Sequence, residues 1–140
     1  MRQIPSGNCT ARFSPDGKWL LVCGDKEYSQ YAISGHPTNW VLIRQFPLEN
    51  RGFNAGQATF SADGKLLALD TGLSFTSLIE TATGRELARL PFAVPNFSHN
   101  NRWVAVPSET GLRVWDLARV RSHLHALKLD WGGPPDLPQR

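Results

Sequence analysis

The sequence predicts an all-β chain built from repeated four-stranded antiparallel sheets, and three observations carry that prediction. One kind of segment occurs three times: Phe13-Ser14-Pro15-Asp16-Gly17-Lys18-Trp19-Leu20-Leu21-Val22, Phe60-Ser61-Ala62-Asp63-Gly64-Lys65-Leu66-Leu67-Ala68-Leu69, and Phe97-Ser98-His99-Asn100-Asn101-Arg102-Trp103-Val104-Ala105-Val106. Each reads as an aromatic, a serine, a polar turn, a cation and an apolar run, which describes a hairpin whose second strand is buried. The copies start 47 and 37 positions apart, and further short apolar segments lie between them. A period of roughly 40 residues with four short strands per repeat is the pattern of β-propeller blades.

The turn residues suit such hairpins. Pro15 presets φ at one turn position, and Gly17 and Gly64 accept a positive φ without a Cβ clash. The third copy has Asn100-Asn101 instead, and Asn tolerates the left-handed region better than most residues.

Taken in order, residues 1–8 read as a loop or the remnant of a preceding strand. Residues 9–47 make a first blade, with strands over 9–14, 18–24, 28–33 and 40–46, stopped by Pro47. Residues 48–92 hold a polar connection, 48–56, and a second blade with strands over 57–61, 65–69, 75–80 and 85–90, ended by Pro91. Residues 93–116 make a partial third blade, with strands over 96–98, 102–106 and 111–116 and no fourth. Leu117, Val120, Leu124 and Leu127 then recur at helical spacing. They predict an amphipathic helix over 117–129 within a C-terminal segment 117–131, with Asp116 as N-cap. The apolar stripe is expected to dock on the third blade, with Trp131 or Leu129 covering its end, and residues 132–140 form a proline-rich tail.

Composition fits one domain of many turns. The 140 residues include 12 Gly and 10 Pro, scattered along the chain, which argues against a helical bundle. No apolar run approaches the ~18 residues of a membrane span, and the first eight residues lack the apolar core of a signal peptide. A membrane partner is therefore not expected, and the compartment expected is the cytoplasm. A net charge of +3 makes only a weak case for nucleic acid. Cys9 and Cys23 fall opposite each other if the first turn centres on Asp16. A disulfide there would strain its preferred geometry, so two buried free thiols are the reading favoured over it.

The repeated Phe-Ser-x-Asp-Gly hairpin, the turn Ala82-Thr83-Gly84-Arg85-Glu86-Leu87 and the segment Leu112-Arg113-Val114-Trp115-Asp116-Leu117 resemble WD40 repeats. Leu127 to Pro135 is similar to the C-terminal end of large bacterial WD40 proteins, many of them joined to a serine/threonine kinase domain. The likeness runs from about Cys9 onward. It implies propeller blades and a scaffold for protein–protein interaction within a larger signalling protein. Two departures stand out. Trp115-Asp116 is matched by Ile79-Glu80 and Ala32-Ile33 in the other blades, and Gly35-His36 falls between strands three and four rather than between blades. The hydrogen-bonded network that the family builds from those residues is thus not expected here, and the blades are expected to rely mainly on apolar packing.

No catalytic pattern is complete. The chain has no glycine-rich phosphate loop, no Cys-x-x-Cys, no nucleophile elbow and no kinase catalytic loop. His123 and His125 are two apart, which on a helix sends them to different faces. No cofactor, metal site or catalytic residue is therefore expected. Trp19, Trp103 and Trp115 are expected between blades rather than as ligand platforms. Arg119, Arg121 and Lys128, with the two histidines, suggest a solvated helix side over a nucleic-acid contact.

The leading reading is a non-catalytic interaction scaffold that binds a protein or peptide partner. In this strand order the loops from strand two to three and from strand four to the next blade share one rim. That rim gathers Asp25, Lys26, Glu49, Arg51, Phe53, Asn54, Asp70 and Glu109 as candidate partner-binding residues. The alternatives are a hydrolase-type propeller fragment, with Asp25, Asp70 and Glu109 at matching turns, and weak nucleic-acid binding through the basic helix. Propellers close with roughly 4–8 blades, and this chain supplies two and most of a third. The stack is therefore expected to be completed by remaining blades in cis or by a second copy in trans.

Overall fold

The computed structural model describes residues 9–24, 26–48, 57–71, 75–91, 95–108 and 110–127. The elements are β1 (Thr10–Phe13), β2 (Trp19–Cys23), β3 (Glu27–Ala32), β4 (Val41–Pro47), β5 (Ala58–Phe60), β6 (Leu66–Asp70), β7 (Phe75–Glu80), β8 (Glu86–Pro91), β9 (Asn96–Phe97), β10 (Trp103–Ser108), β11 (Gly111–Asp116) and α1 (Leu117–Ala126). They form three antiparallel sheets ordered β1-β2-β3-β4, β5-β6-β7-β8 and β11-β10-β9. The all-β expectation of two complete blades, a partial third and a closing helix holds.

Each sheet begins with the same hairpin turn, and side chains build it. Ser14 Oγ donates to Asp16 Oδ1 at 2.6 Å and accepts from the Trp19 amide at 2.9 Å, while the Lys18 amide donates to Asp16 Oδ1 at 3.1 Å. Ser61, Asp63, Lys65 and Leu66 repeat this at 2.7, 2.8 and 3.0 Å. Ser98, Asn100, Arg102 and Trp103 repeat it again at 2.7, 2.9 and 3.1 Å. The fourth turn position has φ of 70° at Gly17, 71° at Gly64 and 57° at Asn101. The motif is thus a pair of side chains that satisfies turn amides, besides a backbone preference.

This turn sets the register one position away from the simplest expectation. Phe13 pairs with Leu20 and Thr10 with Cys23. Cys9 and Cys23 are therefore not opposed, and both are free, Cys9 exposed and Cys23 buried. Two strands also run into their prolines. Pro47 pairs with Glu27 and Pro91 with Phe75. β4 and β8 are the outer strands of their sheets, where a missing N–H removes no ladder bond. Both complete sheets shift register at the same place, Gln30/Tyr31 on β3 and Leu78/Ile79 on β7.

The blades stack face to face. One core joins the first two: Leu21, Cys23 and Tyr28 of the first against Ala58, Phe60, Leu67, Leu69 and Ile79 of the second. Val104, Val106 and Leu117 form a second core, with Leu66 and Phe97 packed on it. Apolar packing is thus the main tie, as expected, but polar ties also cross the first seam. Gln30 Nε2 donates to the Thr81 carbonyl at 3.1 Å, and Arg44 donates to the Thr81 and Ala82 carbonyls at 3.3 and 2.9 Å. A Cβ added at Gly84 would lie 2.6 Å from Arg44 Nη1, so this turn lets the arginine lie against bare backbone.

Asp116 is the N-cap predicted for α1. Its Oδ1 accepts from the Ala118 and Arg119 amides at 3.0 and 3.2 Å, and its Oδ2 faces Arg102 Nη2 at 3.3 Å. The helix ends at Ala126, short of the expected Leu129. Leu117 is buried and Val120 half-buried, but Leu127 is 66% exposed. Arg121 is half-buried, not on a solvated side. The Leu124 side chain and residues 128–140, with Lys128, Leu129 and Trp131, lie outside the described residues. Trp19 packs on the first core, whereas Trp103 and Trp115 are 39% and 37% exposed.

Candidate interaction surface

Strand direction divides the stack into two rims. One carries the β2–β3 and β6–β7 connections and the links between blades; the other carries the three hairpin turns and the β3–β4 and β7–β8 connections. Lys26 and Asp70 both lie on the first rim. Asp25, Glu49, Arg51, Phe53, Asn54 and Glu109 lie outside the described residues, so the expected cluster is represented here by those two positions.

The first rim is held together through Tyr28, a residue that sequence reasoning did not single out. Its hydroxyl donates to the Asp70 carbonyl at 2.5 Å and meets the Gln57 carbonyl at 3.1 Å. Burial, then the Asp70 carboxylate and Cys23, push the phenol well above its ordinary range, so it stays a neutral donor. One side chain of the first blade thereby fixes the end of β6 and the entry to β5. The Lys26 carbonyl accepts the Leu48 amide at 2.9 Å, and the Asp70 amide donates to the Gln57 carbonyl at 2.9 Å. The Lys26 side chain is left exposed, and Phe75, also exposed, opens β7 on the same rim. The sequence signal for Tyr28 was its alternation with Gln30 on one face of β3; what it touches depends on the second blade.

The second rim carries the turn row. The Asp63 amide donates to Asn101 Oδ1 at 3.3 Å, linking the second and third turns. Gly64 lies against Asp16, linking the first and second. Burial raises the Asp16 carboxyl, but the hydrogen bonds from Ser14 and the Lys18 amide, with the Lys18 ammonium, outweigh it and hold it below 3.8. Lys18, Lys65 and Arg102 occupy the same position in the three turns, and all are exposed. Gly35-His36 sits in the β3–β4 connection, where His36 Nδ1 meets Thr38 Oγ1 at 2.9 Å. It is thus placed away from the links between blades, as its sequence position implied.

Among the described residues, no three His, Cys, Asp or Glu side chains group as a metal ion would need. Burial pushes the Cys23 thiol up, against lowering contacts from Thr10 and Arg12. Among the described residues no helix is long and apolar enough to cross a membrane.

Solved structures share this arrangement. The β-propeller domain of Cps50 (Swd1) from Myceliophteria thermophila superposes with a TM-score of 0.63 at 20% identity, over 82% of this chain and 42% of that one. This is a stack of β-propeller blades. A putative 6-phosphogluconolactonase from Bacteroides fragilis superposes with a TM-score of 0.61 at 11% identity, over 83% of this chain and 36% of that one. The chain therefore spans well under half the length of either structure. At these identities the likeness is one of fold alone. No protein-family model matches the sequence, and no curated protein sequence matches it.

Proposed function

We propose that the chain is a non-catalytic, WD40-type interaction scaffold that presents the rim bearing Lys26 and Asp70 to a protein or peptide partner. The observation that carries this reading is the Tyr28 tie. By fixing Asp70 and Gln57 from the neighbouring blade, it holds the strand ends at this rim in one frame, and a binding surface mounted on fixed strand ends gives up less conformational freedom on docking. The resemblance of the Phe-Ser-x-Asp-Gly hairpins and of Trp115-Asp116 to WD40 repeats, and of Leu127 to Pro135 to the C-terminal end of large bacterial, kinase-linked WD40 proteins, supports a signalling context. In this reading Asp25, Glu49, Arg51, Phe53, Asn54 and Glu109 extend the same rim, with mixed charge around an aromatic.

A peptide-library selection against the whole chain tests it. Selected peptides should lose binding to Lys26→Glu and Arg51→Glu and keep binding to Lys65→Glu, which alters the opposite rim. Peptides indifferent to all three variants, or turnover in a broad hydrolase screen, would overturn the reading.

A further inference from the structure

Corresponding faces of the first two blades are buried by different means. Phe13, Leu20 and Tyr31 are cross-strand neighbours in the first blade, as Phe60, Leu67 and Ile79 are in the second. In the second blade this face packs on Leu21, Cys23 and Tyr28 of the first, and Leu67, Leu69 and Ile79 are at most 4% exposed. In the first blade Leu20, Val22 and Tyr31 form a cluster of their own and are at most 9% exposed. Among the described residues, the half-buried apolar side chains packed on that cluster are Ile33 and Trp40. These are the two ends of the β3–β4 connection.

The β3–β4 and β7–β8 connections start alike and then diverge. Each opens with an amide bonded to the hairpin turn, Ile33 to the Lys18 carbonyl at 2.8 Å and Thr81 to the Lys65 carbonyl at 2.9 Å. The β7–β8 connection then turns tightly, and its Thr81 and Ala82 carbonyls accept from Gln30 and Arg44 of the first blade. It is built to meet a blade. The β3–β4 connection runs on to Trp40, apolar at both ends and polar between. Its Ser34, His36, Thr38 and Asn39 are exposed. They bond to one another: Ser34 Oγ donates to the Asn39 carbonyl at 3.2 Å, and His36 Nδ1 meets Thr38 Oγ1 at 2.9 Å. Trp40 also lies edge-on to Phe13 at 6.0 Å and 84°, and Phe13 stays 60% exposed at the margin. Stacked repeats are closed off by elements of this kind, apolar within and polar without.

We infer that the β3–β4 connection is an end cap, covering on the first blade the face that a neighbouring blade covers on the second. A further blade or a partner sheet would have to displace Ile33 and Trp40 before it could seat on Leu20, Val22 and Tyr31. The inference concerns a sheet face and not the rim that bears Lys26, so it stands or falls apart from the rim reading.

The chain has two tyrosines, one on each side of the first sheet, and they make the test internal. Tyr28 is buried in the seam with the second blade, and Tyr31 lies in the capped cluster. Hydroxyl-radical footprinting of the whole chain, read by mass spectrometry, should find both protected. In a first variant residues 33–40 are replaced by the sequence of residues 81–85. A second, milder variant, Ile33→Ser with Trp40→Ser, serves should the first fail to fold. Labelling of Tyr31 should rise several-fold in either variant, and Tyr28 should stay protected. An unchanged Tyr31 beside a protected Tyr28 would overturn the inference, because something other than the connection would then cover the face. Free labelling of Tyr31 in the wild type would overturn it too. So would a parallel rise at Tyr28 in both variants, since the connection would then support the seam rather than cap one face.

Discussion

Ser61 Oγ lies 2.7 Å from Asp63 Oδ1, and the same oxygen accepts the Leu66 amide at 2.8 Å. The serine hydroxyl is fully buried. It closes the hairpin from inside and orients the carboxylate that in turn accepts the Lys65 amide at 3.0 Å. Ser61→Ala removes the acceptor for a ladder-end amide and the donor for Asp63. Leaving such groups unsatisfied costs about 1–3 kcal/mol. Ser98→Ala, in the half-buried third turn, should cost no more than about 1 kcal/mol. Urea denaturation of the two variants checks the ranking; equal midpoints would show that the buried hydroxyl adds nothing.

Acid should loosen the fold through the same turns. Asp16, Glu86 and Asp116 all titrate below their ordinary values in the folded chain. For Glu86, burial pushes upward, and the hydrogen bonds from Arg89 and Ser77 pull further down. A depressed carboxyl contributes stability that is fully present above its unfolded value and is lost as pH falls through its folded value. The melting temperature should therefore hold from pH 7 to roughly pH 5 and fall from there toward roughly pH 2. Asp16→Asn should lower it at pH 7 and differ less from the wild type at low pH. A gap of constant size across that range would remove Asp16 from the account.

The two turn glycines separate backbone strain from crowding. Gly17 and Gly64 share a φ near 70°, where an L side chain costs about 1–2 kcal/mol. A Cβ at Gly17 would meet no atom within 4 Å, whereas one at Gly64 would lie 3.1 Å from Asp16 Cγ. That carboxylate is anchored by Ser14 and gives way poorly. Gly64→Ala should therefore be the more destabilising of the two by thermal melting. Gly17→Asn should be milder than Gly17→Ala, because Asn101 already occupies this turn position in the third blade at φ 57°.

The blades were legible in the sequence because their signals are local. Phe, Ser, Asp and Gly at fixed offsets specify a turn, and the apolar run after it specifies a buried strand, wherever the chain goes next. The register was not, because whether Cys23 faces Cys9 or Thr10 depends on how many residues the Ser14–Asp16 pair encloses. Tyr28, Gln30 and Arg44 were missed for a different reason. Their partners, Asp70, Thr81 and Ala82, lie 37 to 51 positions away and accept through backbone carbonyls, which leave no mark on the sequence. The helix stripe read as four equal apolar positions, yet Leu117 at its start is buried and Leu127 at its end is exposed.

That last point sets a ranking along the helix. Leu117 is buried with Val104 and Val106, and its amide donates to the Arg102 carbonyl at 2.8 Å, where the third hairpin turn meets the helix. Ten residues on, Leu127 is 66% exposed. Truncating a buried leucine removes its transfer free energy and leaves a cavity, together about 2–5 kcal/mol. Truncating an exposed one changes stability by no more than about 0.5 kcal/mol. Leu117→Ala should therefore lower the melting temperature by several degrees, and Leu127→Ala should leave it nearly unchanged. Asp116→Ala should act in the direction of Leu117→Ala, since it frees the Ala118 and Arg119 amides and unpairs Arg102. It should also cut the helical signal in circular dichroism, which Leu127→Ala should not. Equal losses for Leu117→Ala and Leu127→Ala would mean that the helix packs along its whole length, and the docking geometry described for its first turns would be wrong.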